Sequence, residues 1–148
     1  MPAARTLSPS AVRAARDIRV AVGRLRRRAV DLADTHELTP SQLSVLSRLG
    51  KEGPASASDL AAAERIRPQS VAATLAVLEE RGFVVRKPDP ADGRRQLVSL
   101  SRNGKAVFDD RRRRSEEWLG RAMEERLTEA ERRTVIEAAT LLDKLIEP

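Results

Sequence analysis

Between Ser56 and Leu100 the spacing of apolar and turn-forming residues leaves the chain few ways to fold. In SASDLAAAERIRPQSVAATLAVLEERGFVVRKPDPADGRRQLVSL, Ser56 begins a capping pattern, with Asp59 three residues on and Leu60 next, and the spacing predicts a short helix over 57–64. A tight turn at Arg65, Ile66 and Arg67 leads to Pro68, suited to the first position of a helix that runs to Arg81 before Gly82 ends it. Phe83 to Lys87 is then β-branched and aromatic, Pro88 to Gly93 is turn chemistry, and Gln96 to Leu100 is strand-like with Val98 and Leu100 on one face. Two short helices feeding a hairpin with Asp92, Gly93, Arg94 and Arg95 at its tip read as a winged helix-turn-helix, a unit suited to gripping DNA.

The second helix of that pair divides cleanly by the helical period. Val71, Leu75 and Leu78 stack on one side as core, while Gln69, Ala73 and Ala76 lie opposite, flanked by Ser70 and Thr74, with Arg65 and Arg67 at the entrance. A small, neutral face can lie deep in a major groove, and the helix N-terminus favours phosphate. On the wing, a carboxylate two residues from a guanidinium predicts that Asp92 holds Arg94 toward a narrow minor groove, while Arg86, Lys87 and Arg95 meet phosphates. Two structural alternatives stand beside these: a turn-stabilising ion pair at Asp92 and Arg94, and helix capping by Gln69 and Ser70, which can coexist with base contact.

The flanks are helical. Ser10 to Ala33 repeats Ala11, Ala15, Ile18, Val22, Leu25, Ala29 and Leu32 in four-three alternation, a narrow seam that packs either on its own domain or on a second subunit. Thr39, Pro40 and Gln42 open a core helix carrying Leu43, Leu46 and Leu49, expected to stop at Gly50. After the hairpin, Ser101 caps a long helix through Val107 and Trp118 to about Arg126, and Thr128 with Glu131 caps a last one bearing Val135, Ala139, Leu142 and Leu145 or Ile146. The run Arg111 to Arg114 covers all sides of its helix and reads as a solvated face or an intersubunit salt-bridge partner ahead of a DNA contact.

The fold class expected is therefore mostly α with a small β-hairpin wing: six helices with the hairpin between the fourth and fifth, dimeric if the seams meet a second subunit. Residues 35–101 form the DNA-binding lobe, and 1–34 with 102–148 the dimerisation region, whose interface draws on Ile18, Val22, Leu25, Trp118, Val135, Leu142 and Leu145.

Composition agrees with a polyanionic partner. Lys and Arg number 28, most of them arginine, against 22 acidic residues, for a formal charge of +6. There is no cysteine, which excludes disulfides, thiol switches and the usual structural zinc site. His36 is the lone histidine, so it reads as a loop or core residue rather than a metal ligand. No phosphate-binding glycine loop, nucleophile with a nearby histidine or converging carboxylates is present, so no enzyme, metal or cofactor is expected. No segment reads as a leader or membrane span, and the expected location is the cytoplasm.

The order of elements resembles the MarR family of bacterial transcriptional regulators from about Ser10 to Ile146. Leu78-Glu79-Glu80-Arg81-Gly82-Phe83-Val84 looks like that family's LExxGLV segment, and Asp92-Gly93-Arg94-Arg95, followed by Val98, Ser99, Leu100 and Ser101, looks like its wing signature. The resemblance implies a homodimer that places two recognition helices in successive major grooves of a pseudo-palindromic operator on double-stranded DNA. It also implies repression, and release by a small anionic or aromatic effector or by an oxidant. Two departures matter: Ala72 and Ala73 stand where members often carry Thr-Arg, and only Phe83, Phe108 and Trp118 are aromatic, so no obvious pair sandwiches an aromatic ligand. The alternative function is a winged-helix protein-interaction or non-specific nucleic-acid-binding adaptor.

Overall fold

A computed structural model describes residues 6–32 and 36–146. In chain order the elements are α1 (Pro9–Leu32), α2 (Pro40–Glu52), α3 (Ala57–Glu64), α4 (Pro68–Glu80), β1 (Val84–Pro88), β2 (Gln96–Leu100), α5 (Arg102–Arg126) and α6 (Glu129–Asp143). The chain forms two compact units that part after Glu37. The expected domain boundary between residues 34 and 35 lies outside the described residues.

The first unit is essentially α1. Its 24 residues span about 36 Å at 1.5 Å per residue. Val22 and Leu25 of the expected seam are exposed and Ile18 is half-buried.

The second unit holds the core. Leu43, Val45, Leu46 and Leu49 of α2 meet Leu60 and Ala61 of α3, Val71, Leu75 and Leu78 of α4, Val84 and Val98 of the hairpin, and Val107 of α5. Leu46, Leu60, Leu75 and Leu78 are wholly enclosed, the condition under which truncation to alanine costs about 2–5 kcal/mol. The two strands pair antiparallel, Val84 opposite Leu100 and Pro88 opposite Gln96. Ala55 adds a single bridge on the far side of β2, exchanging both backbone hydrogen bonds with Val98 at 3.0 and 2.8 Å. The core continues past Ser101, because Val107 is buried in it and Phe108 packs against it.

Local caps set the helix starts. Thr39 and Gln42 exchange side-chain and backbone hydrogen bonds at 3.0 and 3.3 Å, the reciprocal box that opens α2. Ser56, Ser101 and Thr128 accept from the N–H three residues on and so open α3, α5 and α6. At the α6 cap the Thr128 backbone N–H, with its hydroxyl, holds the Glu131 carboxyl below its usual range.

Helix α2 does not stop at Gly50, contrary to the sequence expectation; it runs two residues further and ends at Gly53, where φ is +86°. Gly50 is there for packing: a Cβ would sit 2.5 Å from the Phe108 ring of α5. Gly104 is tighter still, since a Cβ would be driven into the backbone carbonyl of Phe83. Alanine normally favours a helix over glycine by about 1 kcal/mol, but overpacking costs about 1–3 kcal/mol, so Gly104→Ala should lower the denaturation midpoint in urea. A raised midpoint would contradict the close approach.

Candidate nucleic-acid interface

The turn between α3 and α4 rests on one left-handed residue. Arg65 sits at φ +54°, and the N–H groups of Arg65 and Ile66 donate back to the carbonyls of Ala62 and Ala61 at 3.3 and 3.1 Å. A non-glycine residue there costs about 1–2 kcal/mol, offset by the two recovered carbonyls and by burial of the helices it joins.

Arg67 then takes the N-cap of α4 in extended conformation, with Pro68 following and no side-chain capping bond. The Arg67 carbonyl accepts from the N–H of Ser70 and Val71 at 3.0 and 3.2 Å. The capping role weighed for Gln69 and Ser70 is therefore not taken up. Helices α2, α3, α5 and α6 all have a hydroxyl at the N-cap, whereas the first turn of α4 is left to face an outside acceptor. Val71, Leu75 and Leu78 point into the core, Thr74 is half-buried, and Gln69, Ser70, Ala72, Ala73 and Ala76 are exposed. Arg65 and Arg67 are exposed as well and make no ion pair among the described residues. One helix end thus carries two free guanidinium groups, an amide, a hydroxyl and a surface of methyl groups.

The wing is differently built from the sequence expectation. Asp92 does not hold the Arg94 guanidinium; its Oδ1 accepts from the Arg94 backbone N–H at 3.1 Å, while its carbonyl accepts from the Arg95 N–H at 3.0 Å. An Asx turn competes well with an exposed ion pair because the donor is one fixed backbone group two residues away. Asp89 makes the same turn one step earlier, accepting from the Ala91 N–H at 2.9 Å. Arg94 is left exposed at the tip with no ion pair among the described residues.

Arg86 and Arg95 are not free cations. Arg86 lies opposite Val98, so the pleat turns it to the core side of the hairpin, where its Nε donates to Glu79 of α4 at 3.0 Å. Arg95 reaches back to the start of α3, donating to the Ser56 hydroxyl at 3.0 Å and to the Asp59 carboxylate, with its Nε 3.9 Å from Asp89. Hydrogen bonds from Ser56, chiefly its side chain, hold the Asp59 carboxyl below its ordinary value, with the nearby Arg95 charge adding to this. Lys87, on the opposite face of β1, is exposed and makes no ion pair among the described residues. Sequence reasoning missed Asp59, Ser56 and Glu79 as wing anchors. For Arg95 and Asp59 no local pattern could show it, because the partners are 36 residues apart.

The interface residues expected for a dimer are accessible in the single chain. Helix α6 buries none of its residues, with Val135 exposed and Leu142 half-buried; Leu145, just past its end, is exposed, and Trp118 of α5 is half-buried. Within α5, Arg112, Arg113 and Arg114 pair with Glu116, Asp110, Glu117 and again Asp110, so much of the basic run is spent on its own helix. A cavity of about 340 Å³ lies between the end of α2, β2 and α5, where Leu49, Leu100 and Phe108 meet Lys105, Asp109 and Arg112. Among the described residues no carboxylate or histidine cluster could hold a metal, and no helix is long and apolar enough to cross a membrane.

These features coincide with a known family. The MarR family model matches residues 36–95, from just before α2 through the wing tip. Over 93% of its length the chain is 38% identical to an HTH-type transcriptional regulator of Mycobacterium bovis, covering 96% of that protein, and a Mycobacterium leprae regulator of the same type is 41% identical over 74% of the chain and 77% of its own length. A transcriptional regulator of Pseudomonas aeruginosa has the same fold at TM-score 0.79 and 37% identity, covering 96% of this chain and 99% of that one. A Thermotoga maritima regulator at TM-score 0.77 and 21% identity shares the fold over 88% of this chain and 92% of that one. The chain belongs to the MarR family, and it is a DNA-binding transcriptional regulator with a winged helix-turn-helix.

Proposed function

We propose that the protein is a repressor that binds a pseudo-palindromic operator as a homodimer, with α4 in the major groove and the wing tip in the adjoining minor groove. The observation that carries this reading is the surface of α4 itself: an uncapped first turn, free Arg65 and Arg67, and an exposed face of Gln69, Ser70, Ala72, Ala73 and Ala76 beside a tip that offers Arg94 unpaired. Arginine and glutamine can read guanine and adenine edges, and an alanine methyl can meet a thymine methyl. With alanine at 72 and 73, specificity rests on Arg67, Gln69, Ser70, the Arg94 contact and groove shape. Lys87 and Arg65 supply phosphate contacts that fix orientation without reading sequence.

The dimer is supported by apolar side chains that have no partner within their own helices. Ile18, Val22 and Leu25 of α1, Trp118 of α5, Val135 and Leu142 of α6, and Leu145 just beyond it are the groups a second copy covers. A dimer sets two recognition helices about 34 Å apart, one helical turn of DNA, so each half-site alone is bound weakly. The dimerisation region comprises 1–34 and 102–148, with the lobe over 35–101 borrowing the first two turns of α5 for its core. Bound dimers exclude other proteins from the DNA they cover, the physical basis of repression. An effector fits the cavity beside β2: Lys105 suits a small acid, and Phe108 with two leucines suits an apolar body.

Two substitutions test the reading. Arg94→Ala should weaken operator binding by at least about 1 kcal/mol in a titration at fixed salt, the size of a good arginine contact; unchanged affinity would remove the wing from the interface. Leu25→Glu or Leu142→Arg should convert the dimer to monomer in light scattering after size exclusion, and a variant that remains dimeric excludes that residue from the contact.

A further inference from the structure

We propose that Arg95 is a positioning residue of the wing: held by Ser56 and Asp59 at the start of α3, it fixes the direction in which the tip offers Arg94, and it makes no phosphate contact of its own. The inference rests on the proposed placement of Arg94 in the minor groove. A second arginine next to the tip, on a protein of net charge +6, would ordinarily be counted as one more cation for the DNA backbone. Its surroundings argue otherwise. The guanidinium is shared among the Ser56 hydroxyl at 3.0 Å, the Asp59 carboxylate and the Asp89 carboxylate at 3.9 Å. One positive and two negative charges make a cluster of net −1, which repels a phosphate, and both N–H groups of the Arg95 Nη2 are taken by Ser56 and Asp59.

The cluster is placed to steer. Ser56 is buried and caps α3, so it is fixed to the helix pair, and its hydroxyl accepts from the Asp59 N–H at 3.1 Å as well as from Arg95. Asp89 and Arg95 face each other across the base of the wing loop, where the Asp89 N–H donates to the Arg95 carbonyl at 2.8 Å. The loop between them is pinned internally by Asp92, whose carboxylate and carbonyl take the N–H groups of Arg94 and Arg95. Turning Arg95 therefore turns the whole tip. On the other strand the pair of Arg86 with Glu79 of α4, at 3.0 Å, ties the hairpin to the recognition helix. Helix α3 thus holds the base of the wing loop and α4 holds β1, so that α4 and Arg94 enter their grooves together.

The test uses the sign of a charge effect. The probe is a duplex recovered by selecting random-sequence DNA on the full-length protein, titrated at fixed pH over a series of salt concentrations. Removing a carboxylate near DNA should tighten binding by simple electrostatics, yet if Asp59 positions the wing, Asp59→Asn weakens it about threefold to fivefold, the scale of an exposed ion pair. Arg95→Gln, which leaves α3 untouched, should weaken binding as much, and the double variant should be no weaker than either alone. The slope of log affinity against log salt should stay at the wild-type value in Arg95→Gln. Tighter binding by Asp59→Asn, or a slope reduced by about one in Arg95→Gln, would show a phosphate contact and overturn the proposal.

Amide exchange of the free protein separates this outcome from failure of the wing reading. In Asp59→Asn and Arg95→Gln the Arg94 and Arg95 amides should exchange faster than in the wild type while those of α2 are unchanged; unchanged tip exchange overturns the proposal with no reference to DNA. If Arg94→Ala binds as the wild type does while the tip amides respond as expected, the clamp stands and the minor-groove reading falls.

Discussion

Four backbone segments meet where Gly82 and Phe83 cross Ser101 and Gly104, and the reading head of the molecule depends on that crossing. The Phe83 N–H closes α4 by donating to the Leu78 carbonyl at 2.8 Å, and the Phe83 carbonyl accepts from the Ser101 N–H at 3.0 Å. The Ser101 hydroxyl donates to the Gly82 carbonyl and accepts from the Gly104 N–H at 3.0 Å, which caps α5. One knot of short-range bonds therefore sets the end of the recognition helix, both roots of the wing and the start of the helix leading out of the lobe. Gly82 is left-handed at φ +75° and Gly104 admits the Phe83 carbonyl, so each glycine has a separate steric reason. The two stretches that resemble MarR signatures, Leu78 to Val84 and Val98 to Ser101, are the strands of this knot.

What was legible in the chain was local. Thr39, Ser56, Ser101 and Thr128 announce their helices because a cap is a contact between a residue and the one three positions later. Val71, Leu75 and Leu78 declare their face because burial of a helix follows its period. All but one of the misreadings are decided at a distance. Gly50 reads as a helix stop until Phe108, on another helix, needs the space. Arg86 and Arg95 read as free cations until Glu79, Asp59 and Ser56 take them. Asp92 is the exception, since both of its partners are close by; there a backbone donor outcompeted an exposed guanidinium two residues away.

Charge is consequently distributed in two kinds. Arg65, Arg67, Lys87 and Arg94 are exposed without ion pairs among the described residues, whereas Arg86, Arg95 and most of the run from Arg112 to Arg114 are spent within the chain. A count of basic residues overstates the cations available to DNA, and their placement says more: two at the N-terminus of α4, one on the outer face of β1 and one at the wing tip. That arrangement suits the groove, phosphate ridge and neighbouring groove of the proposed binding mode, and the proposed dimer doubles it.

The central claim is that this surface reads sequence and does not merely attract polyanions. Its most direct test is the affinity of the wild-type protein for a selected inverted repeat, set against that for a scrambled duplex of equal length in the same salt. A ratio of about a thousandfold or more is expected, the usual margin of specific over non-specific binding. Equal affinities, both falling together as salt rises, would contradict it.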